Sequence, residues 1–414
     1  MKPLALAAAL MLASPAMGPA VHAQTIEDTE GSLTVGRESE SAAGFRAWIG
    51  AYRGKALEAG VPAPVWDREM RAAEFLPDVL RGDRNQNEFT RTIWDYLDIA
   101  VSDERVAMGR AAAEKHADLL ARIEAKFGVR KEIVLAVWGL ETSYGSFRGT
   151  TDTISALATL TYDGRREAFF GAQLIEALKI IEAGEISRAQ MQGSWAGAMG
   201  HTQFMPTSWR DYAVDFDGDG RRNLWSDDPA DALASAAHYL AKHGWATGVP
   251  WGMEVQLPEG FDYDLTSEQV VKPVSDWAAL GVKPVAGDWP EGARVSILVP
   301  AGARGAAFAI WPNFQAIESY NPADAYVIAI GHLADRIAGG ATIAASWPRQ
   351  WKALTLDERK EVQQRLTAAG FDAGGVDGRI GPKTVAAVKA WQKARGLVAD
   401  GYASPDVLRD LRAE

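Results

Sequence analysis

Apolar residues between Phe45 and about Lys242 recur at intervals of three and four, the spacing of one face of an α-helix. Segments 111–123 and 170–181 show this pattern, and few β-branched alternations interrupt it. A periodicity sustained over so much of the chain is typical of a domain built from packed helices. The sequence therefore predicts a mainly α fold for this region.

The pattern changes between Trp251 and Ile310. Val295, Ile297 and Val299 alternate with polar or small residues, and a Pro-Ala-Gly turn at 300–302 follows them. Helical spacing returns at about residues 322–337. These features predict a small β insertion, so the overall class is mainly α with α+β character.

A compact tail follows a Trp- and Pro-rich joint at residues 346–351. Its sequence DGRIGP at 377–382 recurs as DGYASP at 400–405, and each copy places Pro at the first position of a helix. Thr355 and Glu358 have the spacing of a capping box for a preceding helix. We expect two folded domains, a larger one over 42–345 and a three-helix bundle over 354–412.

The N-terminal residues have the pattern of an export signal. A basic start precedes an apolar run from Leu4 to Ala16, and a small residue, Ala23, precedes Gln24. Residues 1–23 are therefore predicted to be a signal peptide, and the polar, acidic residues 24–41 a flexible leader. An N-terminal membrane anchor is the weaker alternative, because Pro15, Gly18 and Pro19 interrupt a short run.

Charge and cysteine content exclude several functions. The 414 residues carry a net charge of −11, which argues against nucleic acid or an anionic membrane as a general partner. The chain has no Cys, so disulfides, a thiol nucleophile, Cys-ligated metal and lipid attachment to Cys at the cleavage point are excluded. We expect an exported, soluble protein without a membrane anchor.

Glu141 is the first candidate for chemistry. It stands at the end of an apolar segment, 133–140, that is typical of a helix buried on all sides. Burial and the negative end of a helix both favour a protonated carboxyl, the form that a general acid needs near neutral pH. Composition alone favours the alternative, a Glu at the surface just beyond the helix.

A glycine-rich segment, 193–206, is the second candidate. Its Gly residues would let a ligand approach the backbone, and Ser194 and Gln203 could bind polar groups. The spacing differs from that of a phosphate-binding loop. His201 has no second His at metal-ligand spacing, so we interpret it as a loop histidine.

An acidic loop, 215–223, is the third candidate. Asp215, Asp217 and Asp219 alternate before Gly220, as in the first half of a calcium loop, and Arg221 is included as a candidate ligand. Ser226 stands where such a loop normally ends with Glu. A bound cation, with a structural and not a catalytic role, is favoured over a solvated acidic turn.

Five motifs, in order along the chain, carry a family resemblance: ETSYG at 141–145, LATL at 157–160, the glycine-rich segment, YLAKHGW at 239–245 and IESYN at 317–321. Over residues 42–340 the chain resembles the membrane-bound lytic transglycosylase B family. The resemblance implies a lysozyme-like fold that cleaves the MurNAc–GlcNAc β-1,4 bond of peptidoglycan. It also implies that Asp231 closes the acidic loop as a further ligand.

In the resembling family a single Glu acts as acid and then as base, and this role falls on Glu141. The resemblance suggests contact between Ser194 and the substrate N-acetyl group. His201-Thr202 departs from the family, where an apolar residue is more usual. The residues that the resemblance predicts to bind the glycan are Tyr144, Ser194, Gln203, Tyr239, Tyr320, Asn321 and Tyr326.

The tail, 354–412, resembles a type 1 peptidoglycan-binding domain through VQQRL at 362–366, GVDG at 375–378, GPKT at 381–384 and Trp391-Gln392. The resemblance implies attachment to the cell wall. Our leading hypothesis is a periplasmic lytic transglycosylase that needs no catalytic cofactor and forms 1,6-anhydro-MurNAc ends. The alternatives are a hydrolytic muramidase and a non-catalytic peptidoglycan-binding scaffold.

Overall fold

The computed structural model describes residues 9–10, 20–21, 41–84 and 91–414. Apart from two short paired strands, β1 (Ala9–Leu10) and β2 (Ala20–Val21), and Ser41, which caps the first helix, the predicted signal peptide and leader lie outside the described residues. Contacts divide the chain into two compact units. The first contains Met1–Gln86, Asp103–Thr247 and Ser319–Pro322, and the second contains Asn87–Ser102, Gly248–Glu318 and Ala323–Glu414.

The first unit is built from helices, with one short antiparallel pair of strands, β3 (Thr151–Asp152) and β4 (Gln192–Gly193). The predicted helix over 111–123 is in fact two helices, because the chain turns at His116. The helices are α1 (Ala42–Glu58), α2 (Ala63–Ala72), α3 (Pro77–Arg84), α5 (Asp103–Lys115), α6 (Ala117–Phe127), α7 (Lys131–Thr142), α8 (Thr153–Asp163), α9 (Glu167–Glu182), α10 (Pro206–Tyr212) and α11 (Ala230–Lys242).

Helix α7 is one of the most deeply buried elements of this unit. Every residue from Ile133 to Thr142 is buried, which the apolar sequence predicts for residues 133–140 only. The helix ends at Ser143, whose φ of 48° is left-handed. Its last turn is therefore enclosed by protein on all sides.

The second unit contains the predicted β insertion. Its five strands are antiparallel in the order β6-β8-β9-β5-β7, and Trp277 is fully buried in the apolar cluster against the sheet. The strands are β5 (Gly252–Gln256), β6 (Lys272–Pro273), β7 (Lys283–Pro284), β8 (Arg294–Leu298) and β9 (Ala307–Ile310). The helices of this unit before the tail are α4 (Ile93–Ala100), α12 (Val274–Ala279), α13 (Pro312–Glu318) and α14 (Asp324–Ile337).

The tail consists of α15 (Leu356–Ala368), α16 (Pro382–Ala394) and α17 (Pro405–Arg412). Its repeated turns are held by the same contact. The side-chain oxygen of Gln363 accepts from the Gly378 amide at 2.7 Å, and that of Gln392 accepts from the Gly401 amide at 2.9 Å. Both glycines have positive φ, which explains the glycine in each copy.

Within the second unit the tail packs directly on the β insertion. Lys389 Nζ donates to the Tyr263 carbonyl at 2.5 Å, and Lys393 forms an ion pair with Asp264. The Ala303 amide donates to Asp400 at 2.9 Å. The tail is therefore docked on the β insertion, and the domain boundary near residue 350 stays a prediction.

Among the described residues, no helix combines the length and the apolar character needed to cross a membrane.

Candidate active site

Glu141 is the penultimate residue of α7, and its side chain is completely buried in the first unit. Composition alone favoured a surface position, so the structure reverses that preference. The reason is tertiary: the segments that cover this helix end come from distant parts of the sequence. Both burial and the negative end of the helix dipole act on a carboxyl at this position.

The turn after Glu141 is conformationally unusual. Ser143 and Tyr144 both have left-handed φ, at 48° and 57°. The Tyr144 hydroxyl donates to the Arg105 carbonyl at 2.9 Å, and its ring lies so close to Gly139 that a Cβ there would come within 2.6 Å of Cζ. Tyr144 thus packs against the helix that carries Glu141, and its predicted contact with substrate stays a prediction.

The glycine-rich segment folds back on itself. Gly193 bridges to Met199, and Met199 bridges to Phe204. A Cβ on Gly193 would lie 2.0 Å from the Ala198 carbonyl oxygen. Gly197 and Gly200 are similarly close to protein atoms. These glycines therefore serve close packing of the protein on itself, whereas the sequence suggested close approach of a ligand.

Ser194 and Gln203 lie at the two ends of this folded segment, and both are fully buried. Ser194 Oγ accepts from the Ala198 amide at 3.0 Å. Gln203 has a φ of 51°, and its Nε2 donates to the carbonyls of Gly200 and Arg148 at 2.9 and 3.2 Å. Its Oε1 is buried and has no hydrogen-bond partner within the part of the chain that the structure describes.

Aromatic rings enclose the site. The rings of Tyr239 and Tyr320 lie 5.0 Å apart, and Phe204 lies 5.8 and 6.0 Å from them. The Tyr239 hydroxyl donates to the Ser319 carbonyl at 2.6 Å. Burial raises the pKa of Tyr320 well above its usual value, and the negative charge of Glu141 raises this pKa further. The structure therefore brings Glu141, Tyr239 and Tyr320 together.

The two remaining predicted glycan residues lie in different units. Asn321 belongs to the first unit and is fully buried next to Tyr320. Tyr326 lies on α14 in the second unit and is also buried. Their roles in binding stay predictions.

His201 lies in a turn, in agreement with its interpretation as a loop histidine, but nothing in the sequence indicated its burial. It is 4% exposed, and its ring is fixed between buried groups. Trp138 Nε1 donates to its Nδ1 at 3.1 Å. Gly145 packs directly against this ring, since a Cβ there would come within 2.6 Å of it.

The acidic loop brings together three of its predicted ligands. Carboxylate oxygens of Asp215, Asp217 and Asp219 lie within 4.8 Å of one another, and all three residues are exposed. Asp215 accepts from the Gly218 amide at 2.7 Å, and Asp219 accepts from the Arg221 amide at 2.8 Å. Three converging hard oxygen ligands fit a calcium ion.

Asp231 has a different place in this loop. Its two oxygens accept from the amides of Phe216 and Asn223 at 2.7 and 2.8 Å, so it closes the loop through hydrogen bonds. Burial raises the pKa of Asp231, and these amide bonds oppose the shift. In the described part of the chain, the carboxylates that converge are those of the three other aspartates and do not include Asp231. Its role as a ligand stays a prediction.

Comparison with known families identifies the class of protein. Residues 44–335 match the model of the transglycosylase SLT domain, and residues 355–411 match that of a peptidoglycan binding domain. The chain belongs to the transglycosylase SLT family, a family of lytic transglycosylases whose members are enzymes.

Individual relatives agree. The chain is 34% identical over 247 residues to membrane-bound lytic murein transglycosylase B of Escherichia coli, which covers 58% of this chain and 65% of that protein. The crystal structure of SltB3 from Pseudomonas aeruginosa, in complex with NAG-anhNAM-pentapeptide, has a TM-score of 0.86 and 46% identity, and the match covers 90% of this chain and 100% of that chain. The expected lysozyme-like, mainly helical class with a small β insertion and a helical tail is confirmed.

A third relative bears on the acidic loop. The structure of the Escherichia coli lytic transglycosylase SLT35 in complex with calcium has a TM-score of 0.60 and 29% identity, covering 72% of this chain and 93% of that chain.

Proposed function

We propose that this protein cleaves the β-1,4 bond between MurNAc and GlcNAc in peptidoglycan and leaves 1,6-anhydro-MurNAc ends. The observation that carries the proposal is the complete burial of Glu141 at the end of α7. Membership of the transglycosylase SLT family supports the reaction class. The SltB3 complex, which contains an anhydro-muramyl ligand, supports the nature of the product.

In the proposed mechanism protonated Glu141 gives its proton to the glycosidic oxygen. The bond from MurNAc C1 to that oxygen breaks, and GlcNAc leaves with a free 4-hydroxyl. The oxocarbenium-like MurNAc is stabilised by its own N-acetyl oxygen, in place of the second carboxylate of an ordinary glycosidase. The Glu141 carboxylate then takes the proton of the C6 hydroxyl, and O6 bonds to C1. Water takes no part, and Glu141 ends protonated as it began.

Gln203 and the aromatic residues have geometry suited to holding the glycan. The buried Oε1 of Gln203, which has no hydrogen-bond partner among the described residues, is an acceptor for a sugar hydroxyl or an amide N–H of the substrate. Tyr239 and Tyr320, both 2% exposed, pack on each other and on Phe204 and so support this part of the site from within. We therefore place the two sugars that flank the scissile bond next to Gln203, Tyr239 and Tyr320.

We also propose that the tail attaches the enzyme to peptidoglycan and that the enzyme works in the periplasm after export. The match of residues 355–411 to a peptidoglycan binding domain supports the first part. The substrate itself supports the second, because peptidoglycan lies outside the cytoplasmic membrane.

The acidic loop is proposed to hold a structural calcium ion through Asp215, Asp217 and Asp219, with Arg221 and Asp231 as the further candidate ligands. The convergence of the three carboxylates and the calcium complex of SLT35 support this assignment. When bound, the ion would neutralise the loop and stabilise its fold.

The decisive experiment digests purified sacculi in ¹⁸O-labelled water with wild type, Glu141→Gln and Glu132→Gln. Glu132 lies in the first turn of the same helix and is the matched control. We expect wild type and Glu132→Gln to release anhydro ends without ¹⁸O, and Glu141→Gln to lose at least about 10³-fold in rate. Reducing MurNAc ends that carry ¹⁸O would indicate a muramidase. Full turnover by Glu141→Gln would contradict a catalytic role for this residue.

A further inference from the structure

The hydrogen bonds of His201 determine its protonation state. The Trp138 indole N–H is only a donor, so Nδ1, at 3.1 Å, must accept and carries no proton. The Ser226 carbonyl is only an acceptor, so Nε2, at 2.7 Å, donates to it. The longer contact of Arg148 Nη1 with Nε2, at 3.3 Å, is then a contact between two donors, and both donate to Ser226. The ring is therefore a neutral imidazole with its proton on Nε2.

On one side His201 fixes the end of α7. Its ring accepts from Trp138, three residues before Glu141. Its backbone carbonyl accepts from Oγ1 of Thr142, the residue after Glu141, at 2.7 Å. The Gly145 amide donates to that same Oγ1 at 3.1 Å. His201 thus contacts α7 on both sides of Glu141 in sequence.

On the other side His201 reaches the segment that follows the acidic loop. Arg148 Nη1 also donates to the Ser226 carbonyl, at 2.9 Å, so two donors converge on one acceptor. The Ser226 amide donates to Asn223 Oδ1 at 3.1 Å. Asn223 in turn donates its amide to Asp231 at 2.8 Å. A continuous set of hydrogen bonds therefore runs from the closure of the acidic loop to α7.

We propose that His201 is a positioning residue for Glu141, which as a neutral imidazole fixes the end of α7 to the segment that closes the acidic loop. This role rests on the proposed catalytic function of Glu141. His201 itself touches neither substrate nor the reacting atoms. A side chain of the same size that cannot bond both Trp138 and the Ser226 carbonyl would hold the end of α7, and with it Glu141, less precisely.

The charged groups around the ring favour the neutral form. The pKa of His201 is lowered to about 4, chiefly by burial and also by the Arg148 guanidinium, while the hydrogen bond to the Ser226 carbonyl and the charges of Asp227 and Asp228 oppose the shift. Beyond the Trp138 indole lie the rings of His116 and Tyr144. A proton on Nδ1 would point at the indole N–H, so protonation would break the contact with α7.

The first test is NMR of the full chain labelled with ¹⁵N-histidine, with His201→Gln used for assignment among the six histidines. We expect a neutral ring protonated on Nε2 that stays neutral well below pH 6.5. Trp138→Phe, which removes the donor to Nδ1, should raise the pH at which His201 titrates. A proton on Nδ1, or titration near pH 6.5 in the wild type, would overturn the proposal.

The second test is kinetic. His201→Phe keeps a ring of similar size without its hydrogen bonds, and we expect kcat to fall about tenfold to hundredfold with KM within about twofold. His332→Gln is the matched control, because burial also lowers the pKa of this histidine on α14 to about 4. The acid limb of the wild-type pH–kcat profile should shift to higher pH in Trp138→Phe.

The outcomes separate this proposal from the proposed function. An inactive Glu141→Gln with a fully active, folded His201→Phe would overturn the positioning role alone. An active Glu141→Gln would remove the catalytic assignment on which it rests. If His201→Phe does not fold, an acid limb that is unchanged in Trp138→Phe overturns the proposal.

Discussion

The hydroxyl of Tyr320 donates to the backbone carbonyl of Thr202 at 2.6 Å, and both residues are buried. Their separation in sequence is large, so this one bond ties segment 319–322 to the glycine-rich segment inside the first unit. The Tyr320 ring is thereby held against Tyr239. The proton of the Tyr320 hydroxyl is thus used for a structural hydrogen bond to Thr202. The hydroxyl oxygen keeps lone pairs that could accept a hydrogen bond from a ligand.

Tyr320→Phe tests this bond. The change leaves the Thr202 carbonyl buried without its donor, which should cost about 1–3 kcal/mol of unfolding free energy. We expect a lower midpoint in thermal denaturation and a lower kcat on sacculi. Tyr263→Phe is the control, since Tyr263 is only partly buried in the second unit. Equal midpoints for wild type and Tyr320→Phe would contradict the structural role.

The stability of the protein should depend on the neutral form of His201. Its pKa is about 4 in the folded protein and 6.5 in the unfolded chain, so the unfolded chain binds the proton first as the pH falls. The contribution is therefore full above pH 6.5 and is lost between pH 6.5 and 4, by at most about 3 kcal/mol. Urea unfolding at pH 7.5 and 4.5 measures this loss.

His201→Gln removes the titration, so the variant should lose less stability than wild type over the same pH interval. Burial lowers the pKa of His332 as well, so its protonation also destabilises the folded protein as the pH falls. Part of the wild-type dependence of the unfolding free energy on pH should therefore persist in the variant. Parallel slopes for wild type and His201→Gln would show that His201 does not titrate as the structure indicates.

Calcium should raise the thermal midpoint through the three clustered aspartates. At a hundred times its Kd a ligand specific to the folded state adds about 2.7 kcal/mol of stability. We expect Asp217→Asn to abolish the response, and Asp288→Asn, an exposed acid of the β insertion, to keep it. Wild-type midpoints that are identical in calcium and in chelator would favour a solvated acidic turn.

Asp231→Asn should behave differently from Asp217→Asn. Its carboxylate accepts backbone amides of the loop, so the substitution should destabilise the protein even in chelator. Denaturation of both variants in chelator distinguishes the two roles. If the two midpoints fall together, Asp231 does not close the loop as the structure indicates.

Deletion of residues 350–414 should reduce co-sedimentation with insoluble peptidoglycan by about tenfold or more, because one of two linked binding sites is lost. Cleavage of short soluble glycans should persist. Lys389→Met is the control that loosens the contact with the Tyr263 carbonyl and keeps the tail. Unchanged co-sedimentation of the deletion variant would exclude the tail as the wall-binding element.

Local structure could be predicted from the sequence. The capping box of Thr355 and Glu358 is present as expected, and Ser404 caps the helix that begins at Pro405. These features depend on residues a few positions apart, so the sequence contains all that determines them. The alternating segment around Ile297 also became a strand of the predicted insertion.

Tertiary relationships could not be predicted in this way. The burial of Glu141 and His201 depends on segments that are distant in sequence. Nothing in the sequence around Thr202 or Ser226 indicates that their carbonyls bind Tyr320 and His201. The docked tail depends on single lysines of α16 that look like ordinary surface residues. Helical periodicity alone did not distinguish Glu141 from the other acidic residues as the catalytic acid and base. That choice came from the family resemblance.

The docking of α16 has a mechanical consequence. Lys389 and Lys393 hold the segment around Tyr263 and Asp264, so a pull on the tail is carried into the β insertion and does not first uncoil a slack tether. If the tail binds peptidoglycan as proposed, tension in the wall would be carried into the second unit through these contacts.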